Sequence, residues 1–314
     1  MVMMTDQKKC NACKSSDFQK KAEVISETDG VKYNVLKCKS CGLTFSDPIP
    51  DLTFENLQKI YNIDYTNHQR QQPDPETEKI LTDATEKQLD IIEKYVTKGK
   101  ALNIGAMDHG SRTMKKRGWD VTVVEVSKYA SETARELWDL NVINSRAEEA
   151  DLDDDSFDLI KLGHVIEHFA NPAFVVNKMA KALKPGGILL VETVNSGGLR
   201  TSLETGIRTL LGENLTEKLV KKLTGKSLKS RYGWLFPPIH IYTFSPKSIN
   251  SLIKNAGLET ITIKQPAAGN NTWFPSTPQQ IKNMTLPAKA FLAFSKLGSI
   301  MNKGDIIVAL ARKN

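Results

Sequence analysis

From Ala101 to Val194, short apolar runs alternate with segments of helical periodicity. Ala101–Ile104, Val121–Glu125, Asn141–Ile143, Phe157–Leu162 and Ile188–Val194 read as five strands, each an apolar run stopped by a polar turn. Between them, three stretches read as helices: Ser111–Arg117, a stretch capped by Ser127 that runs to about Leu140, and Asn171–Leu183. Gly118 and Lys184-Pro-Gly-Gly187 close two of these. A further helix over Glu76–Val96 carries Ile80, Leu81, Ala84, Leu89, Ile91, Ile92 and Tyr95 on its apolar side and leads into the first strand. This alternation predicts an open parallel α/β sheet with any site along its carboxyl edge.

The flanks follow other patterns. Strand-like alternation over Ala22–Ile25 and Val31–Leu36 brackets the turn Thr28-Asp-Gly30, as in a hairpin. Asp47-Pro-Ile-Pro50 is a stiff connector, followed by a short helix (Leu52–Tyr61) and a polar stretch (Asn67–Pro75). Leucines 203, 210, 211, 215, 219, 223 and 228 recur at near-helical spacing over Leu199–Lys229, with lysines 218, 221, 222, 226 and 229. These predict helices packing as a cap with a basic face. Leu286–Met301, with Lys289 and Lys296, reads as an amphipathic packing helix. The division expected is 1–50, a linker over 51–75, and a main domain over 76–314 with a cap insertion at 199–230.

At 314 residues, 40% hydrophobic and 25% charged, the composition is that of a soluble globular protein. The formal net charge of +7 suits an anionic ligand without choosing one. Met1–Cys10 lacks the apolar core of a secretory signal, and no apolar run approaches the roughly 20 residues of a membrane span. A cytoplasmic address is the default. The four cysteines form two pairs, Cys10-x-x-Cys13 and Cys38-x-x-Cys41-Gly42. Without a secretory signal, disulfides are disfavoured, and two such pairs predict a structural tetrahedral Cys₄ zinc ribbon with no open position for substrate.

The unit Ala101–Ser127 has a glycine after its first strand (Gly105) and a carboxylate at the end of its second (Glu125). That arrangement suggests a nucleoside ligand, with backbone approach at the turn and an acid for ribose hydroxyls. With Ala147-Glu148, Phe157-Asp158, Val165-Ile-Glu-His168, Leu183-Lys-Pro-Gly-Gly187 and Phe236-Pro-Pro-Ile-His-Ile-Tyr-Thr-Phe-Ser245, the chain resembles class I S-adenosylmethionine-dependent methyltransferases. The likeness is to the ubiquinone-biosynthesis and sugar methyltransferases. It implies a Rossmann-like seven-stranded sheet, completed by a strand near Leu258–Ile263 and an antiparallel one over Asp305–Ala311. It also implies a cofactor set of Asn103, Gly105, Ala106, Glu125, Val126, Ala147, Glu148 and His164. Relatives from surface-polysaccharide gene clusters also carry amino-terminal cysteine pairs.

Methyl transfer to a hydroxyl needs a group to take the proton, and His240 and His168 are the candidates, with Glu167 as orienting partner or base. The loop departs from the family pattern: Asn103 stands where an acid is usual, and Met107 and His109 fall at glycine positions. The leading reading is methylation of a small-molecule or glycan acceptor, a sugar hydroxyl first. The acceptor is expected to be anionic, such as a nucleotide sugar or a lipid-linked intermediate met at a membrane surface. Two other readings stand beside it, an RNA methyltransferase and a catalytically silent binding protein. The chain has Gly-His-Val-Ile after the fourth strand and no basic run interleaved with aromatics, which argues against nucleic acid.

Overall fold

The computed structural model describes residues 8–61, 74–105, 109–224, 231–269, 272–273, 276, 278–284 and 286–314. Ala106 and Met107 lie outside these residues, as do positions 67–73 and 225–230, and His109 is described only in its backbone.

Seven strands form the main sheet: β4 (Lys100–Ile104), β5 (Asp120–Glu125), β6 (Asn141–Asn144), β7 (Phe157–Gly163), β8 (Leu183–Val194), β10 (Leu258–Lys264) and β11 (Ile306–Lys313). Their order is β10-β11-β8-β7-β4-β5-β6. Strands β4 to β8 pair in parallel, and β11 runs antiparallel to both its neighbours. The chain therefore reverses its direction of travel across the sheet between β4 and β7, the point at which such folds open a crevice. Alternation along the strands supplies two apolar faces. Leu102, Ile104, Ile160, Leu162, Leu189 and Val191 point into one core, and Ala101, Val121, Val123, Leu159 and Leu190 into the other.

Helices cover both faces, each started by a local polar signal. Asp74 caps α2 (Pro75–Ile92), Ser127 caps α4 (Lys128–Trp138), and Asn171 caps α5 (Pro172–Ala182) by accepting from the amide of Phe174. Between α2 and α4 lies α3 (His109–Lys116). The Lys184-Pro-Gly-Gly187 turn is absorbed into β8: Leu183 pairs with Phe157 and Ile188 with Leu159, so the four residues between loop out of the ladder. Asp158 ties this corner together, accepting from the Lys100 amide at 2.8 Å and the Lys184 ammonium at 2.7 Å.

The amino-terminal strands β1 (Phe18–Ile25), β2 (Lys32–Cys38) and β3 (Thr44–Asp47) form a second, antiparallel sheet. Its fourth strand, β9 (Tyr242–Thr243), comes from the far end of the chain. Phe45 lies against Tyr242 with ring centroids 6.0 Å apart. The Tyr242 hydroxyl accepts from Asn11 at 2.6 Å and donates to the Ala170 carbonyl at 3.2 Å. Ser245, which caps α8 (Pro246–Asn255), donates to the Cys41 carbonyl at 2.5 Å. The ribbon thus shares the core of the main sheet.

The cap consists of α6 (Leu199–Leu211), α7 (Glu213–Thr224) and α10 (Leu286–Ile300), after the short α9 (Pro278–Asn283). Leu286–Met301 is helical as expected. Among its described side chains Ser295 and Gly298 are buried and Leu292 is half-buried, whereas Phe294, Leu297 and Ile300 face solvent.

Candidate functional site

A cavity of about 230 Å³ opens at the carboxyl edge over β4, β5, β6 and β7. Gly105, Glu125, Val126, Ala147, Glu148, His164 and His168 all line it. Gly105 sits at φ 101°, where a side chain is strained, and its amide donates to the Val124 carbonyl at 2.8 Å. Glu125 ends β5, and one of its oxygens accepts from the Ser127 amide at 2.7 Å. Asn103 does not reach the cavity. Its buried amide group donates to the Gly105 carbonyl at 2.9 Å and to Ser111 Oγ at 2.8 Å, fastening the turn to α3. Its role in this geometry is to shape the loop.

The wall opposite comes from the stretch expected to be a linker. In α1 (Phe54–Ile60) and its flanks, Leu52, Leu57 and Tyr61 line the cavity. Gln58 donates to the Val126 carbonyl and accepts from the Lys128 amide at 3.2 Å, and Ser127 Oγ donates to the Tyr61 carbonyl at 2.8 Å. These bonds hold α1 over the carboxylate end of β5. The helix was legible in Leu52–Tyr61, but nothing local says where it docks. On the far side, Arg146 lies 3.4 Å from Glu148, and Lys178 donates to the Glu148 carbonyl.

The histidines converge on one buried acid. Glu167 has no exposed surface; its Oε2 accepts from Thr193 at 2.9 Å and its Oε1 lies 3.7 Å from His164 Nδ1. Burial opposes its charge, but His164, His168 and His240 outweigh that and hold its pKa down at about 2. Burial likewise opposes a charge on His164, yet Glu167 raises its pKa above the ordinary histidine value. His164 has φ 54°, an uncommon backbone for a residue with a Cβ, and its amide donates a hydrogen bond to the Glu192 carbonyl at 2.8 Å. His168 lies in a 3₁₀ turn (Ile166–His168), with Nδ1 3.0 Å from the Ile239 carbonyl and 3.4 Å from the Tyr61 hydroxyl. His240 is outside the cavity lining, behind His168. Their rings meet edge-on at 4.7 Å, and Phe236 stacks on His240 at 4.1 Å. Burial, then the neighbouring His168, pushes the His240 pKa down to about 4.

Each thiol pair supplies one tight turn. Gly42 donates to the Cys38 carbonyl and Lys14 to the Cys10 carbonyl, both at 2.9 Å. Sγ–Sγ distances are 3.6 Å for Cys10–Cys41 and for Cys13–Cys38, and all four sulfurs lie within 4.8 Å of one another. Four bonds of about 2.3 Å to tetrahedral corners require about 3.8 Å, so the set fits Zn²⁺. The hydrogen bond between Cys10 and Cys41 pulls the Cys10 thiol down and pushes the Cys41 thiol up.

Strand order, the single antiparallel strand and a cavity over the strand-order reversal define a Rossmann-like nucleoside-binding architecture. A family model described as a methyltransferase domain matches residues 97–263, more than half of the chain. The chain belongs to that family and is a class I S-adenosylmethionine-dependent methyltransferase. A ubiquinone biosynthesis O-methyltransferase of Alkalilimnicola ehrlichii is 32% identical over 92 residues, 26% of this chain. The match spans only 36% of that protein's length. Among solved structures, a Haloferax volcanii complex of the Trm112 methyltransferase activator with a putative methyltransferase aligns with TM-score 0.48 and 12% identity, over 75% of this chain and 92% of that one. A Thermotoga maritima S-adenosylmethionine-dependent methyltransferase, described as a possible histamine N-methyltransferase, aligns at 0.47 and 17%, over 82% and 100%. Among the described residues no helix is long and apolar enough to cross a membrane.

Proposed function

We propose that the enzyme methylates a hydroxyl of a small-molecule or glycan acceptor, a sugar hydroxyl in surface-polysaccharide or related biosynthesis, in the cytoplasm. The observation that carries this reading is the buried Glu167 with histidines around it, two of which, His164 and His168, open onto the cavity. S-adenosylmethionine supplies an electrophilic sulfonium methyl. Gly105 leaves room for its methionine part, with Asn103 holding the turn, and the family resemblance adds Ala106 to this set. Glu125, beside Val126, accepts from the ribose hydroxyls, and Ala147 and Glu148 flank the adenine.

His168 donates from Nδ1 to the Ile239 carbonyl, which leaves Nε2 with a lone pair to take the acceptor's proton. Glu167 stabilises the imidazolium so formed. His240, neutral at pH 7, shares its Nδ1 proton with the Trp234 carbonyl at 3.0 Å and positions His168 edge-on. The same reading keeps 1–50 as the ribbon, 51–75 as its connection and 199–230 as the cap over the acceptor side. The net charge of +7 favours an anionic acceptor such as a nucleotide sugar.

Release of S-adenosylhomocysteine on incubation with nucleotide-sugar and glycan acceptors tests the reading. His168→Gln should lower kcat by about 10²-fold or more with the best acceptor. Unchanged turnover in both His168→Gln and His240→Gln would remove the histidines from the reaction.

A further inference from the structure

The cap helices carry large apolar side chains on their solvent face. A helix packed on a soluble core turns its apolar stripe inward. In α6 the buried positions are Thr201 and Arg208, while Leu203 and Leu210 face out, Leu210 at 85% exposure. Arg208 is held inside the cap: it donates to the Arg231 carbonyl at 2.9 Å and lies over the Tyr232 ring at 5.3 Å. Among the described side chains of α7, Thr216 is buried and Leu215 is exposed. In α10, Ser295 and Gly298 are buried while Phe294, Leu297 and Ile300 face out, Ile300 at 85%. The inward choice of small residues has a steric reason, since a Cβ on Gly298 would come within 3.0 Å of Leu199 Cβ. Most of the exposed large apolar side chains among the described residues lie on these helices and at their ends.

Cations accompany them. Lys218, Lys221 and Lys222 on α7, and Lys289, Lys296 and Lys303 along and just after α10, are exposed. Leu286–Lys303 contains no acidic residue, and in α7 the lysines outnumber Glu213 and Glu217. A second copy of the chain seated on this face would therefore bring an excess of like charges together. An anionic lipid surface supplies both what the leucines lack and what the lysines lack. At 15 residues α10 is about 22 Å long, too short to cross a bilayer but long enough to lie in its interface.

We propose that the outer face of α6, α7 and α10 seats the enzyme on an anionic bilayer surface. The face adjoins the site edge of the sheet: α6 starts five residues after Val194, and Leu199 donates to the Lys303 carbonyl at 2.7 Å. An acceptor carried in the bilayer would reach the carboxyl edge without leaving it. Docking itself does not depend on the acceptor's identity or on the histidine chemistry.

Sedimentation of the full, zinc-loaded chain with phosphatidylcholine vesicles, with and without phosphatidylglycerol, tests this. Binding is expected only to the anionic vesicles, weakening as salt rises. Leu210→Glu combined with Ile300→Glu should reduce partitioning at least about tenfold while S-adenosylhomocysteine affinity stays unchanged. The proposal is overturned if the wild type stays in the supernatant at low salt, or if the double variant still sediments with the vesicles. It is equally overturned if light scattering finds a dimer that the same variant splits, because a second copy then covers the face.

Discussion

Two modules are appended to the same sheet, and they are built on opposite principles. The ribbon turns most of its apolar side chains inward, sharing Phe45 and Tyr242 with the main core and lending three strands to a sheet that the main domain completes. The cap presents leucines and lysines outward, and its buried side chains among the described residues include Thr201, Arg208, Thr216 and Ser295. The ribbon is part of what holds the site together. The cap is a surface that the fold tolerates because something else covers it.

The largest expected effect is on the ribbon. Cys38→Ser should abolish the zinc site, whose binding free energy in comparable small modules is about 10 kcal/mol or more. Zinc content and thermal melting would report it, and loss of zinc with an unchanged melting temperature would show the ribbon to be an ornament. Phe45→Ala, at the junction with Tyr242, should destabilise the whole chain by about 3–5 kcal/mol in urea unfolding.

Acid should loosen the site next. His240 is held near pKa 4 in the folded chain, so the unfolded chain takes up its proton first as pH falls. Stability from this neutral ring is complete above about pH 6.5 and is lost as pH falls toward 4, a change on the order of 3 kcal/mol. Glu167, depressed to about 2, loses its contribution only below about pH 4.3, which leaves the upper window to the histidines. His164, with its raised pKa, contributes in the opposite sense and is present in both proteins compared. Urea melts of wild type and His240→Gln at pH 7 and pH 4.5 should converge at the lower value.

Glu125→Ala should weaken S-adenosylhomocysteine binding by about 2 kcal/mol, roughly 30-fold, as measured by calorimetry. The smallest effect belongs to the cap: Leu210→Glu should change stability by no more than about 0.5 kcal/mol. A loss comparable with that of Phe45→Ala would erase the contrast between the two modules.

The contrast also explains what was legible in the chain. Strand runs such as Val121–Glu125 and caps such as Ser127 and Asn171 are local signals, and the elements they start appear within a residue or two of where they were expected. The cysteine spacing fixed the ribbon's turns. Three things depended on distant partners. That α1 would close the cavity rests on Gln58 meeting Val126 and Lys128, about seventy residues away. That β9 would join the ribbon's sheet rests on two residues too few to read as a strand. The exposure of Phe294, Leu297 and Ile300 was not legible, because periodicity finds apolar positions but does not say how much of them the core covers. Asn103 reads as a lost charge in the sequence, whereas its side chain is spent on Gly105 and Ser111.

The most direct test of the account is calorimetric titration of the zinc-loaded chain with S-adenosylhomocysteine, in parallel with Glu125→Ala. The account predicts micromolar binding to the wild type and a roughly 30-fold loss in the variant. A folded wild type that binds nothing, or a variant that binds equally well, would contradict the placement of the nucleoside over Gly105 and Glu125.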